Sequence, residues 1–335
     1  MEQDTTTGTD RPAPRRLETA AGTGEAGAGE AGAGAALLPG ARGAAGVDGR
    51  LRALMGLIDD PSPAVWEAVR EQLEDAGAPA LRELRRAATS ANARRRARAR
   101  AVLAERERRG TLRRLLRHAV RREVNLESAL FLMAGLDVPC FDARPYKKAL
   151  DAMADEVRRR AERESPGLAR PMALVQYLAA ERGYSGIPAD FHHPDRIHLH
   201  RAIETRTGMP LTLTAIYLFV ARRAGLRAAA VPLPGHVMLR LYGDSGSRSI
   251  LVDPFHRGKL RTRRECTEYL GRHGLAPEGS WFQDADDGLL FLRHVMNLRN
   301  SYHLRGFERR AREVYRVAEV LSHVRGKGPL PPPRT

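Results

Sequence analysis

His236, in Pro234-Gly235-His236-Val237, and Asp253, in Val252-Asp253-Pro254-Phe255, are the residues best suited by type and spacing to do chemistry. Both stand in short apolar runs that read as strands, Leu226–Val231, His236–Tyr242 and Ser249–Asp253, with Gly243–Arg248 as the polar loop between the last two. A loop centred between Asp244 and Ser245 puts His236 directly opposite Asp253, roughly 5 Å apart between β-carbons. A centre one residue later makes them diagonal neighbours, still within reach. A carboxylate beside an imidazole fixes its tautomer and leaves the other ring nitrogen free for proton transfer, the base-and-orienter half of a nucleophilic triad. The same pair also serves as an ordinary structural hydrogen bond, so it does not establish catalysis by itself.

The element that must carry a nucleophile to this pair starts at Gly208-Met209-Pro210 and runs to a glycine stop at Gly225. Proline at the first helical position costs nothing, because its missing N–H would be unpaired there. The stretch LTLTAIYLFVARRAG is apolar on nearly every face until Arg222, which predicts a central, buried helix. Thr212 and Thr214 are its threonine hydroxyls, and Thr214 lies about one turn beyond Pro210. Further helices are expected at Leu126–Ala134, Tyr146–Glu164 and Met172–Gly183, with another closing at Arg201–Thr207. His192, His193, His198 and His200 lack the spacing of a ligand cluster and read as the start of a surface helix, so no metal is expected there.

Before this region, Leu51, Leu54, Met55 and Ile58 repeat at helical spacing, Asp59-Asp60-Pro61-Ser62-Pro63 interrupts, and Val65, Val69 and Leu73 follow. This pairing resembles a single HEAT-type repeat. The chain has 335 residues and a net charge of +16, and sixteen arginines against three glutamates fall between Arg82 and Arg122. An amphipathic helix with a solvated arginine face explains that run; a phosphate backbone is the rival partner, although no aromatic residue there offers a stacking platform. Fifty-two arginines to four lysines also fit a GC-rich coding bias. Residues 1–47 are a Gly/Ala-rich tail expected to be disordered, as are 326–335. Two cysteines, Cys140 and Cys266, make no disulfide framework; no signal peptide or membrane-length apolar run is evident, which predicts a cytoplasmic protein without membrane contact.

Three linked motifs, RTGMPLTLTAIYLFVARRAGL, PLPGHVMLRLY and ILVDPFHRGKL, in this order resemble the SirB family of transglutaminase-like proteins, over about residues 170–325. The segment FLRHVMNLRNSYHLRGFERRAREVYRVAEVL is similar to that family's tetratricopeptide-like end. The resemblance implies a Cys at the head of the central helix, with His236 and Asp253 as its partners. Here the Cys position falls on Pro210, which has no nucleophile. His192 to His200 also replaces the Asn-rich segment usual before that helix.

The expectation is therefore an α+β protein: a transglutaminase-like core, a buried central helix on a small antiparallel sheet, flanked by helical modules. The expected divisions are a tail at 1–47, a basic HEAT-like region at 48–122, the core at 123–285, a tetratricopeptide-like tail at 286–325, and a short end. The expected function is a non-catalytic, protein-binding or regulatory module that uses no cofactor. The alternatives are an amide hydrolase or acyl-transferase using Thr212 or Thr214 with His236 and Asp253, and nucleic-acid association through Arg82–Arg122.

Overall fold

The computed structural model describes residues 41–272, 274–275 and 278–326. The expected tail lies outside the described residues up to position 40, and the expected short end from 327 onward. The chain divides into two compact units, Met1–Arg50 and Leu51–Thr335. The first contributes only the beginning of α1 (Ala41–Gly56) to the described residues.

The second unit opens with the end of α1, then α2 (Pro63–Asp75), α3 (Ala78–Ala87) and the long α4 (Ala93–Ala119). Ser62 and Asn92 cap α2 and α4, each side-chain oxygen accepting a backbone N–H three residues on. Ile58, Val69, Leu73, Leu84, Ala99 and Val102 bury the shared face. The arginine run does more than face water. Arg98 donates to the carbonyls of Ile58 (3.0 Å) and Asp60 (2.6 Å), and Arg106 to those of Leu73 (2.7 Å) and Glu74 (2.9 Å) at the end of α2. Arg100 reaches the carbonyl of Ala88 just past α3 at 3.1 Å. Cations at helix C-termini satisfy orphan carbonyls and oppose the negative end of the dipole. Arg82, Arg85, Arg113, Arg117, Arg121 and Arg122 remain exposed.

Helices α5 (Leu126–Ala134), α6 (Arg144–Ala161) and α7 (Ala169–Val175) follow, α7 continuing as a wider turn over Gln176–Glu181. The left-handed Gly183 (φ +73°) ends it, as the sequence predicts. Short helices α8 (Pro194–Ile197) and α9 (Leu199–Thr205) lead into α10 (Pro210–Arg223), buried from Pro210 through Ala221. The α+β architecture is as expected: α10 packs against β1 (Ala228–Val231) and β2 (Met238–Tyr242) of a sheet completed by β3 (Ser249–Asp253) and β4 (Lys259–Arg261). The order is β1-β2-β3-β4, all antiparallel. The chain then forms α11 (Arg263–Arg272), α12 (Asp287–Leu304) and α13 (Glu308–Val324). Among the described residues no helix is long and apolar enough to cross a membrane.

Two sequence expectations about the sheet need correction. Leu239 pairs with Val252 and Tyr242 with Ser249, so the β2–β3 loop is centred one residue later than Asp244/Ser245. Gly243 N–H bonds the Arg248 carbonyl at 2.9 Å, and left-handed Gly246 (φ +70°) closes the loop, which sets the register. His236 is therefore diagonal to Asp253, not opposite it. It also precedes β2, lying in the turn closed by its own N–H on the Leu233 carbonyl (3.2 Å). The strand β4 has no counterpart in the expected set.

Burial of α10 on all sides makes its core residues costly to truncate. Leu213→Ala should lower unfolding stability by about 2–5 kcal/mol in urea titration, whereas exposed Leu260→Ala should stay within about 0.5 kcal/mol. Equal effects at both positions would refute the placement of α10 at the centre.

Candidate functional site

The turn carrying His236 is held from behind by α12. The guanidinium of Arg293 donates to the carbonyls of Leu233 (3.0 Å) and His236 (3.3 Å), on either side of Pro234-Gly235. Gly235 sits at φ +71°, which glycine tolerates without a Cβ clash. Asp253 ends β3, 1% exposed, and His236 is 8% exposed. His236 Nε2 lies 2.9 Å from Asp253 Oδ1, so the sequence-predicted pair is formed.

A second imidazole shares the carboxylate. His256 Nδ1 lies 2.7 Å from Asp253 Oδ2, its backbone N–H donates to Oδ1 at 3.2 Å, and Arg261 Nε stands 3.5 Å from Oδ2. Burial alone would raise the Asp253 pKa, but hydrogen bonding and charge from His236, then His256, outweigh it and hold the group at about 2. Sequence reasoning missed His256; its signal was its place three residues beyond Asp253, in the turn before an unanticipated β4.

Phe255 walls the pair. Its ring stands edge-on to His236 at 5.9 Å and to Phe191 at 6.1 Å. It lies flush on Gly186, whose N–H donates to the Phe255 carbonyl at 2.7 Å; a Cβ at Gly186 would come within 2.0 Å of the ring. Opposite, Tyr269 of α11 lies 6.2 Å from the His236 ring. Beside Tyr269 opens a pocket of about 270 Å³, lined by His236, Asp253, His256, Arg261, Glu265 and Cys266 among others.

The expected nucleophile positions are filled differently. Pro210 is buried as the first residue of α10. Thr212 Oγ1 donates to the Ile197 carbonyl (3.1 Å) and Thr214 Oγ1 to the Val237 carbonyl (3.3 Å), both hydroxyls buried. Thr214 thus ties α10 to the residue after His236, with its hydroxyl on a backbone oxygen and not on an imidazole. Cys266 sits on α11, as expected, but α11 folds back to make it part of the pocket wall. It packs with Val231, Leu233, Met238 and Leu270, and burial pushes its thiol pKa up. Exposed Cys140 bonds Glu107 and lies outside that pocket.

The histidine cluster upstream is not a surface feature throughout. His193 does cap α8, its Nδ1 accepting the Asp195 N–H at 3.1 Å. His198 and His200, however, are buried, because α9 packs against α5 and α10. His198 Nε2 meets Asp137 Oδ2 at 2.7 Å, and that carboxylate also accepts from Tyr302 (2.8 Å) and Arg310 (3.1 Å). His200 wedges between Phe141 (5.0 Å) and Tyr146 (5.6 Å).

Comparison with known proteins shows what this arrangement resembles. Residues 144–295, from α6 into α12, match the family profile described as the transglutaminase-like superfamily. The chain carries a transglutaminase-like domain. The chain is 30% identical over 183 residues to a UPF0162 protein of Xylella fastidiosa strain Temecula1, covering 53% of this chain and 64% of that protein. A UPF0162 protein of strain 9a5c is 28% identical over 203 residues, covering 58% and 72% respectively. F-box only protein 21 of Mus musculus is 31% identical over 107 residues, 30% of this chain and 17% of its own length. No solved structure matches. The transglutaminase-like domain therefore includes α10, the whole sheet, the His236–Asp253 pair and α11, while α1 to α5 precede it.

Burial gives the protein an acid-sensitive side. An unfolded imidazole ionises near 6.5, whereas burial holds His200 and His294 down to about 4 in the folded chain. Each contributes stability that is complete above pH 6.5 and is lost as pH falls to about 4, up to about 3 kcal/mol apiece. Urea midpoints should fall across that interval, and His294→Gln should flatten the decline. A pH-independent midpoint would contradict the burial of these neutral rings.

Proposed function

We propose that this chain is a transglutaminase-like protein of the SirB type that works as a protein-binding module without thiol chemistry. One observation carries the reading. The His236–Asp253 pair is formed beside an open pocket, yet the head of α10 is Pro210 and the two nearby hydroxyls are spent on backbone carbonyls. A cysteine at a helix N-terminus gains thiolate character from the dipole; proline there keeps the helix and removes the nucleophile. Cys266, buried with its pKa raised, does not supply one.

The flanking helices support the binding side of the proposal. We read the helix pair split by Asp59-Asp60-Pro61-Ser62-Pro63 as HEAT-like and the α12–α13 pair as tetratricopeptide-like, and the latter exposes apolar groups at its connection: Leu304 is 63% and Phe307 48% exposed. Large apolar side chains clustered on a surface mark contact sites. The nucleic-acid alternative loses weight, since Arg98, Arg100, Arg106, Arg108 and Arg109 are engaged inside the protein.

Two measurements test this reading. Full-length protein incubated with a panel of amide, ester and glutamine-peptide substrates should show no turnover above buffer; turnover abolished by His236→Ala would replace the proposal with an enzyme. Cross-linking in the cells that make the protein should recover a protein partner whose yield falls at least about 10-fold for Phe307→Asp. An undiminished yield would move the contact away from α12–α13.

A further inference from the structure

A catalytic-type His–Asp pair needs one imidazole, and this site has two. His236 Nε2 and His256 Nδ1 approach different oxygens of one carboxylate, at 2.9 and 2.7 Å, and one donor atom from each of the three residues lies within 4.8 Å of the others. Two ligand atoms on a tetrahedral zinc ion stand about 3.3 Å apart, so shifts of a few tenths of an ångström to about 1 Å would seat one. Two neutral imidazoles and a carboxylate are a donor set suited to a borderline divalent transition metal, and such an open three-residue site leaves a coordination position for another ligand.

The second histidine is held in place by the backbone although its side chain is 54% exposed. It sits in the turn from Asp253 to Gly258, closed by Gly258 N–H on the Asp253 carbonyl at 2.9 Å. Arg257 and Gly258 both take positive φ, +54° and +69°. A non-glycine residue in that region is strained, and such strain persists where the surroundings over-determine it. They do so here: a Cβ on Gly258 would meet Val175 at 2.7 Å and Ala179 at 2.9 Å, so the turn lies directly on α7 and its continuation. His236 is fixed by Arg293 on the other side. Rigid second-sphere support of this kind distinguishes a built site from a chance cluster.

We propose that His236, Asp253 and His256 bind one divalent transition-metal ion of the zinc class, with its remaining coordination facing the pocket. Arg261, 3.5 Å from Asp253, is the opposing cation; it also faces Glu265 at 3.9 Å, and Glu265 and Glu268 line the same pocket as balancing charge. The inference goes beyond the protein-binding reading and is independent of it, since metal uptake and partner capture are measured separately.

The test is calorimetric titration of ZnCl2 into the full-length chain without an affinity tag, with CoCl2 absorption spectra as a second readout. One equivalent of Zn2+ is expected, and visible Co2+ bands of a low-symmetry, nitrogen-containing site. His256→Ala should weaken binding at least about 10-fold, with an unchanged circular dichroism spectrum because the side chain is exposed; Asp253→Asn, at a buried position, should also weaken binding. His193→Ala, on α8, should bind like the wild type. Failure of the wild type to take up one equivalent, or equal affinity in His256→Ala, would overturn the proposal and leave a hydrogen-bonded His–Asp–His group.

Discussion

A helix without a polar face must be enclosed, and that constraint on α10 organises the second unit. From Pro210 to Ala221 every residue is buried, so α6, α7, α9, α12 and two strands are drawn against it. Its two threonine hydroxyls each find a carbonyl of a neighbouring segment, while the buried Tyr217 hydroxyl has no hydrogen-bond partner among the described residues. Polarity returns only at the C-terminus. There Arg222 pairs with Asp287 at 2.7 Å, and Arg223 with Glu127 at 2.6 Å and Asp151 at 2.8 Å, tying α10 to α12, α5 and α6. The cations also oppose the negative end of the helix dipole.

The Asp253 carboxylate does for the site what α10 does for the core. A buried carboxylate is stable as an anion only when hydrogen bonds and positive groups replace its lost water. His236, His256, Arg261 and a backbone N–H supply that replacement from two turns and a strand. The turn after β3 is consequently committed: Phe255 must lie on Gly186 and Gly258 on α7 for His256 to face the carboxylate. The sequence Asp253-Pro254-Phe255-His256-Arg257-Gly258 thus encodes a fixed loop as well as an acid.

Local pattern made much of this legible. The all-apolar run with Pro210 in front and Gly225 behind identified α10, and the two flanking motifs brought His236 to Asp253. What stayed hidden depended on loop conformation or on long-range packing. The register followed from the left-handed Gly246, which fixed the loop centre one residue later, and the three-residue β4 is too short to show periodicity. Cys266 entered the pocket wall because α11 folds back over the sheet after β4. His198 and His200 looked solvent-facing because a polar sequence says nothing of what packs on it. Asp137 comes from a loop to meet His198, and Tyr302 and Arg310 come from two helices far along the chain to meet Asp137.

The arginine excess illustrates the same limit. By composition it is a field of positive charge; in the fold, much of α4 is spent on other elements. Buried Arg108 bridges Glu105 at 2.7 Å and Glu313 of α13 at 2.6 Å, and Arg109 joins Asp75 at 2.8 Å and the buried Glu74. A guanidinium has five donors in a planar fork and stays charged when partly desolvated, so it can serve two carboxylates or two carbonyls at once where an ammonium could not hold the same geometry. Breaking such a pair from one side leaves the other charge buried alone. The run between Arg82 and Arg122 therefore acts first as the fastening between α2, α4 and α13, while Arg82, Arg85, Arg94 and the arginines beyond Thr111 project a field into solvent.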